Sequence, residues 1–151
     1  MYLNSDLIDL LRALNTEGAR YLIVGGYALA AHGRVRATKD IDIFIGTDSG
    51  NTGRVWRALA AFGAPLDEFR VEDLTKPDTF FIMGRPLNQI DIITTIDGVS
   101  FDRAWTNRFE SRLADVPLSF IGRADLITNK EAAGHPQDRV DVAYLREAED
   151  G

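Results

Sequence analysis

The chain has 151 residues, 45% of them apolar and 26% charged, with a net charge of −6 and no cysteine. This length suits one domain over residues 1–151, and the lack of cysteine excludes a disulfide framework and a thiolate metal site. The acidic balance argues against holding nucleic acid by bulk electrostatics. No apolar run reaches bilayer-spanning length, and Met1–Asp6 lacks a signal peptide's basic start, so a cytoplasmic, membrane-free protein is expected.

Leu3, Leu7, Leu10, Leu11 and Leu14 recur at helical spacing, which predicts an amphipathic helix over 4–16, capped by Asn4 or Ser5 and stopped by Gly18. Tyr21-Leu22-Ile23-Val24 reads as a buried strand, broken by Gly25-Gly26. Tyr27 to His32 reads as a short helix ending at Gly33. Ile41 to Ile45 alternates like a strand, and 48–52 reads as a capping loop. Val55, Trp56, Leu59, Ala60 and Phe62 form the next helix, stopped by Gly63.

Residues 64–76 look irregular, with Pro65 and Pro77 as breakers. Thr79–Met83 and Asn88–Thr95 read as two strands joined at Gly84-Arg85-Pro86, a hairpin. Phe101–Trp105 suggests one helical turn, and Leu118–Ile121 a last short strand. Helices over Arg123–Ala133, ended by Gly134, and Pro136–Glu147 close the chain. The order gives an α/β or α+β fold, with a small mixed sheet packed by helices and two helices at the C-terminal end.

Three features ask for a joint explanation. Gly25-Gly26 after a strand lets the backbone approach an anion, although such a pair also serves as a plain tight turn. Asp40 and Asp42 stand two apart, so on a strand both carboxylates share one face. Two like charges side by side favour a cation between them, and carboxylate oxygens suit Mg2+. A solvated strand face or a helix-cap acid is the alternative. Asp91, within Gln89-Ile90-Asp91-Ile92-Ile93, is an acid among β-branched residues. Its strand could lie beside that of Asp42. Together the three fit phosphoryl or nucleotidyl transfer assisted by metal ions.

These residues resemble the nucleotidyltransferase superfamily, the polymerase-beta-like fold, over roughly residues 5–147. Gly25-Gly26-Tyr27-Ala28-Leu29-Ala30-Ala31-His32-Gly33 followed by Arg36-x-Thr38-x-Asp40-Ile41-Asp42 is similar to small bacterial nucleotidyltransferase-like proteins related to abortive-infection toxins. It also resembles minimal aminoglycoside and lincosamide nucleotidyltransferases. Lys130-Glu131-Ala132-Ala133-Gly134-His135-Pro136-Gln137-Asp138 looks like the helix pair that follows their catalytic core.

The resemblance implies that Gly25 and Gly26 cradle a triphosphate. It implies that Asp40 and Asp42 hold Mg2+, or Mn2+, as one or two ions. Asp91 would complete the metal site and act as base for an acceptor hydroxyl. By the same resemblance Lys130 would reach the phosphates, while Arg36, read from its own chemistry just before the acid pair, could neutralise triphosphate charge with a bidentate fork. Two departures stand out: Gly26 replaces the family's frequent Ser, and His135 its frequent Arg.

From composition alone, Arg36, Lys39 and Lys130 are also readable as solvated charges, Arg36 and Lys39 further as partners that relieve repulsion between the two aspartates, and Thr38 as a loop hydroxyl. Trp56 and Trp105 fit core packing, and Tyr27 packs or stacks on a base. The expected activity is transfer of an NMP from an NTP to an acceptor hydroxyl on a small molecule, protein or RNA, with release of pyrophosphate. A homodimer or a cognate partner protein would complete so small a site. The alternative is a non-catalytic nucleotide- or partner-binding component of a toxin–antitoxin-type system. A third reading, a structural domain with incidental acids, requires Asp91 to lie away from the Asp40/Asp42 face.

Overall fold

The computed structural model describes residues 5–34, 40–84 and 89–150. The chain begins with α1 (Ser5–Thr16), β1 (Tyr21–Val24), α2 (Gly25–Ala31), β2 (Ile41–Ile45) and α3 (Ser49–Phe62). A 3-10 turn at Val71–Thr75 leads to β3 (Phe80–Met83), β4 (Ile90–Ile93) and α4 (Phe101–Thr106). The hairpin β5 (Phe109–Leu113) and β6 (Val116–Phe120) and the helices α5 (Arg123–Ala133) and α6 (Pro136–Asp150) complete it.

The described strands form one six-stranded sheet in the order β3-β4-β2-β1-β6-β5. β1 runs antiparallel to β2, and β2 parallel to β4. Two antiparallel hairpin pairs, β3 with β4 and β5 with β6, flank them. None of the described helices is long and apolar enough to cross a membrane.

Register sorts the side chains onto two faces, because paired residues and residues two apart point the same way. One face carries Ile23, Ile43, Ile92 and Phe81, all buried. Phe81 meets Phe69, which stacks on Trp56 of α3. Leu7, Leu10, Leu11 and Leu14 of α1 are buried, and Asn15 of α1 accepts a hydrogen bond from the Tyr21 hydroxyl. The other face carries Leu22, Phe44 and Ile93 and, one row along, Val24, Asp42 and Asp91. Here α4 sets Phe101 edge-on against Phe44 at 5.2 Å between ring centroids.

The C-terminal helices clasp the end of α2. Arg123 of α5 donates to the His32 carbonyl, and the Tyr144 hydroxyl of α6 donates to the Gly33 carbonyl. The His32 ring meets the Ile121 carbonyl at 2.8 Å.

Four local expectations change. Gly25-Gly26 does not separate strand from helix; it is the first turn of α2. Residues 49–52 belong to α3, with Asp48 accepting from the Asn51 N–H as N-cap. Asn51 is buried because its amide donates to the Arg20 and Gly46 carbonyls and accepts from the Arg20 N–H, tying α3 to the ends of β1 and β2. β5 was not anticipated: Phe-Glu-Ser-Arg-Leu is largely polar and pairs only on one side. The segment 64–76 contains the 3-10 turn.

Candidate active site

The site grows from one row across the sheet. Val24 pairs with Asp42, Asp42 with Asp91, and Asp91 with Ile82. The parallel pairing of β2 with β4 therefore sets the Asp42 and Asp91 side chains next to each other on one face. They come from segments far apart in sequence, each an acid set in an apolar strand. The reading that required Asp91 to lie away from Asp42 is not met.

The two carboxylates interact directly. The Asp42 carboxyl is held up at about 6, first by burial, then by the Asp91 charge, a hydrogen bond with Asp91, and the Asp40 charge. Ionising both in a partly dry site is unfavourable without a positive charge between them. The Gln89 amide donates to Asp91 Oδ1 at 2.8 Å and fixes its rotamer.

Gly25 forms the wall on the other side of Asp42. Its φ is +69°, and a Cβ there would sit 2.6 Å from Asp42 Oδ2. Only glycine meets both demands, the left-handed backbone and the closeness to the carboxylate. Gly26 follows in the first turn of α2.

Asp40 lies just before β2 and is exposed. It is near enough to raise Asp42 and, together with burial, the Tyr27 phenol. Tyr27 is half-buried beside this edge of the site and packs against the core. Among the described residues, no group of three His, Asp or Glu side chains is drawn together as a ready metal cage. A Mg2+ ion that arrives with a nucleotide needs no such cage, because it keeps several waters and takes only one or two carboxylates besides the phosphates. The adjacent Asp42–Asp91 pair fits that donor set, and its mutual repulsion is what a divalent cation relieves.

Lys130 stands elsewhere, at the α5–α6 contact. It is buried and ion-paired with Asp141 at 3.1 Å and Asp138 at 3.4 Å. Asp141, fully buried, also receives Arg34 Nε at 2.9 Å. A phosphate reaching Lys130 would have to replace one of these carboxylates. Arg34 in turn lies over the Tyr144 ring. The cluster thus anchors the chain just where it leaves α2 toward Asp40.

Arg36, together with Thr38 and Lys39, lies outside the described residues. His135 is exposed at the start of α6, where its backbone N–H donates to Asp138 and its ring Nδ1 lies 2.9 Å from the same carboxylate. Burial would raise the Asp138 carboxyl, but His135 and Lys130 hold it below the ordinary range.

Sequence reasoning missed three side chains that support the site: Gln89, Arg34 and Asp141. Gln89 had a readable position, two residues before Asp91 on the same strand face. Arg34 and Asp141 had none, since only the packing of α6 on the end of α2 brings them together. A groove of about 680 Å3 opens elsewhere, beside Asn15, Tyr21, Trp105 and Ser111. Its one acid, Glu110, is paired with Arg108, so it offers no carboxylate pair.

A scan against protein-family models and a search of the curated proteins give no match. Among solved structures the chain is similar to the lincomycin-bound crystal structure of LnuA, a lincosamide antibiotic adenylyltransferase. The TM-score is 0.55 at 14% sequence identity, over 97% of this chain and 98% of that one. The chain therefore has the fold of a nucleotidyltransferase, a mixed six-stranded sheet with six helices among its described residues.

Proposed function

We propose that this chain, acting as a single nucleotidyltransferase-like domain, is a metal-dependent enzyme that moves an NMP group from an NTP to an acceptor hydroxyl. The observation that carries the reading is the Asp42–Asp91 pair, set side by side by strand register with Gly25 packed against Asp42. In this reading the backbone N–H groups of Gly25 and Gly26 meet the triphosphate. Asp42 and Asp91, with Asp40 at the rim, hold Mg2+. The ion, when bound, supplies positive charge for the phosphates and the departing pyrophosphate.

Asp91 takes the proton of the acceptor hydroxyl. The acceptor oxygen forms a bond to the α-phosphorus as the bond to pyrophosphate breaks. Gln89 keeps the Asp91 carboxylate aimed. The Lys130–Asp141–Arg34 cluster holds the approach to Asp40, and Arg36 adds positive charge beside the phosphates. Likeness to an antibiotic adenylyltransferase favours a small-molecule acceptor.

The test is calorimetric titration with each NTP in the presence of Mg2+, followed by incubation with labelled NTP and cell extract. Heat with the native chain, none with Asp42→Asn, and label on an acceptor are expected. Absence of heat with every NTP for a folded chain would overturn the proposal and favour the partner-binding alternative.

A further inference from the structure

The row that holds the acid pair does not end at Asp91. Ile82 of β3 pairs directly with Asp91, and Phe80 pairs with Ile93 on the same face. Paired residues set their Cβ atoms about 5 Å apart, so Ile82 borders the Asp91 carboxylate. Phe80 is 61% exposed and Ile82 57%, whereas Phe81 on the same strand is 7% exposed. The inward residues of β3 thus complete the core. Its outward residues present two large apolar side chains to solvent, on the catalytic face.

An exposed apolar patch beside carboxylates costs hydration and adds nothing to the core, which marks it as a contact surface. β3 is also an edge strand, and edges are usually blunted with charge. At the opposite edge, β5 sets Glu110 and Arg112 beside its one exposed large apolar side chain, Phe109; β3 (Phe80–Met83) carries Phe80 and Ile82 with no charge among its residues.

The linear order along the row decides what the patch holds. Val24, Asp42, Asp91 and Ile82 follow one another across the sheet, and Gly25, next after Val24, packs on Asp42 at that end of the row. In-line displacement places the acceptor oxygen and the departing pyrophosphate on opposite sides of the phosphorus. With the triphosphate on the Gly25 side, the acceptor enters from the Ile82 side. The geometry points to Phe80 and Ile82 as the acceptor platform, selecting a small hydroxyl compound that has an apolar face and no negative charge. This rests on the nucleotidyl-transfer reading above. An RNA end fits less well, because its phosphates would lie against uncharged side chains and two carboxylates.

The test uses the full chain and neutral alkyl β-glucosides from butyl to heptyl as probes, their binding read by saturation-transfer NMR. The proteins are the native chain, Phe80→Ser/Ile82→Ser, and Phe80→Leu/Ile82→Leu as an apolar control. Both positions are exposed, and circular dichroism checks that each variant is folded. Affinity is expected to rise up to about fourfold for each added methylene that becomes buried. The serine pair loses that rise and the leucine pair keeps it.

The same tail-length dependence in the native chain and the serine pair overturns the proposal, as does no detectable binding to the native chain. A native dimer that the serine pair converts to monomer, with glucoside affinity unchanged, overturns it in favour of a self-interface. Label transferred to an RNA end equally by both proteins overturns it in favour of a nucleic-acid acceptor. ATP binding with Mg2+ is measured in parallel on all three proteins. Its absence from the native chain counts against nucleotidyl transfer itself, and its persistence in the serine pair confines any loss to the acceptor side.

Discussion

Asp42→Asn separates the cost of the acid pair from its use. The substitution keeps the shape of the side chain, removes one of two adjacent charges, and leaves an amide that can donate to Asp91. In the fold the Asp42 carboxyl sits at about 6 against an ordinary 3.8. The folded chain therefore binds more protons than the unfolded chain between those values. Stability must fall as pH rises through about 4 to 6, and stays reduced above 6. The full penalty at neutral pH is at most about 3 kcal/mol, since one pH unit of displacement is worth about 1.4 kcal/mol.

Asp42→Asn removes that penalty. The variant should be more stable than the native chain at pH 8 by about 1–3 kcal/mol, and equal to it near pH 4. For a chain of this size that is a rise of about 2–4 °C in Tm per kcal/mol. Urea unfolding at pH 4, 6 and 8 in EDTA measures it. The order reverses when Mg2+ and NTP are added, because only the native chain gains stability from a ligand it binds. A variant that is less stable than the native chain at pH 8 in EDTA, or an offset that does not change with pH, would refute the electrostatic account of the pair.

Three further predictions concern the parts that hold the site. Gly25→Ala and Gly18→Ala force the same left-handed backbone on alanine, at φ +69° and +68°, but only Gly25 has a carboxylate against it, Gly18 having nothing within 4 Å. Gly18→Ala should cost about 1–2 kcal/mol and Gly25→Ala clearly more; equal losses in urea unfolding would remove the argument that Gly25 is shaped around Asp42. Asp141→Ala leaves Lys130 and Arg34 without their buried anion and should cost about 3–5 kcal/mol by thermal unfolding. Asp138→Ala, whose carboxylate is less buried, should cost less, and the opposite ranking would contradict the clamp. Asn51→Ala takes a hydrogen bond from three backbone groups, of which the Arg20 carbonyl keeps the Gly46 N–H, and should lose at least about 2 kcal/mol, a loss that a mere cap-loop residue would not show in the same assay.

Much of the local structure was readable because it depends on neighbours in sequence. The leucine spacing of α1, the left-handed Gly134 ending α5 and Pro136 opening α6 were all legible. So were the apolar cores of β1, β2 and β4. Asp42 and Asp91 were visible as acids out of place in such strands. The strand β5 was not, because its residues have little intrinsic strand preference and it exists by pairing with β6. Nor was the role of Asn51, since a buried amide and a loop amide look alike until their partners are known.

By itself, the sequence determined which residues could be chemical: two glycines, two acids two apart, and a third acid downstream, with the helices and strands that carry them. Only the tertiary structure decided that Asp42 and Asp91 share one row, that Gly25 closes against Asp42, that Ile82 continues that row into solvent, and that Phe80 stands beside it on the next row of the same face. It also decided that Lys130 is paired with Asp138 and Asp141. The physical reason is the same in each case. Helix and strand preferences act over a few residues, whereas the register between distant strands is set by which faces must be buried, and a one-residue slip would have turned Asp91 to the other face of the sheet.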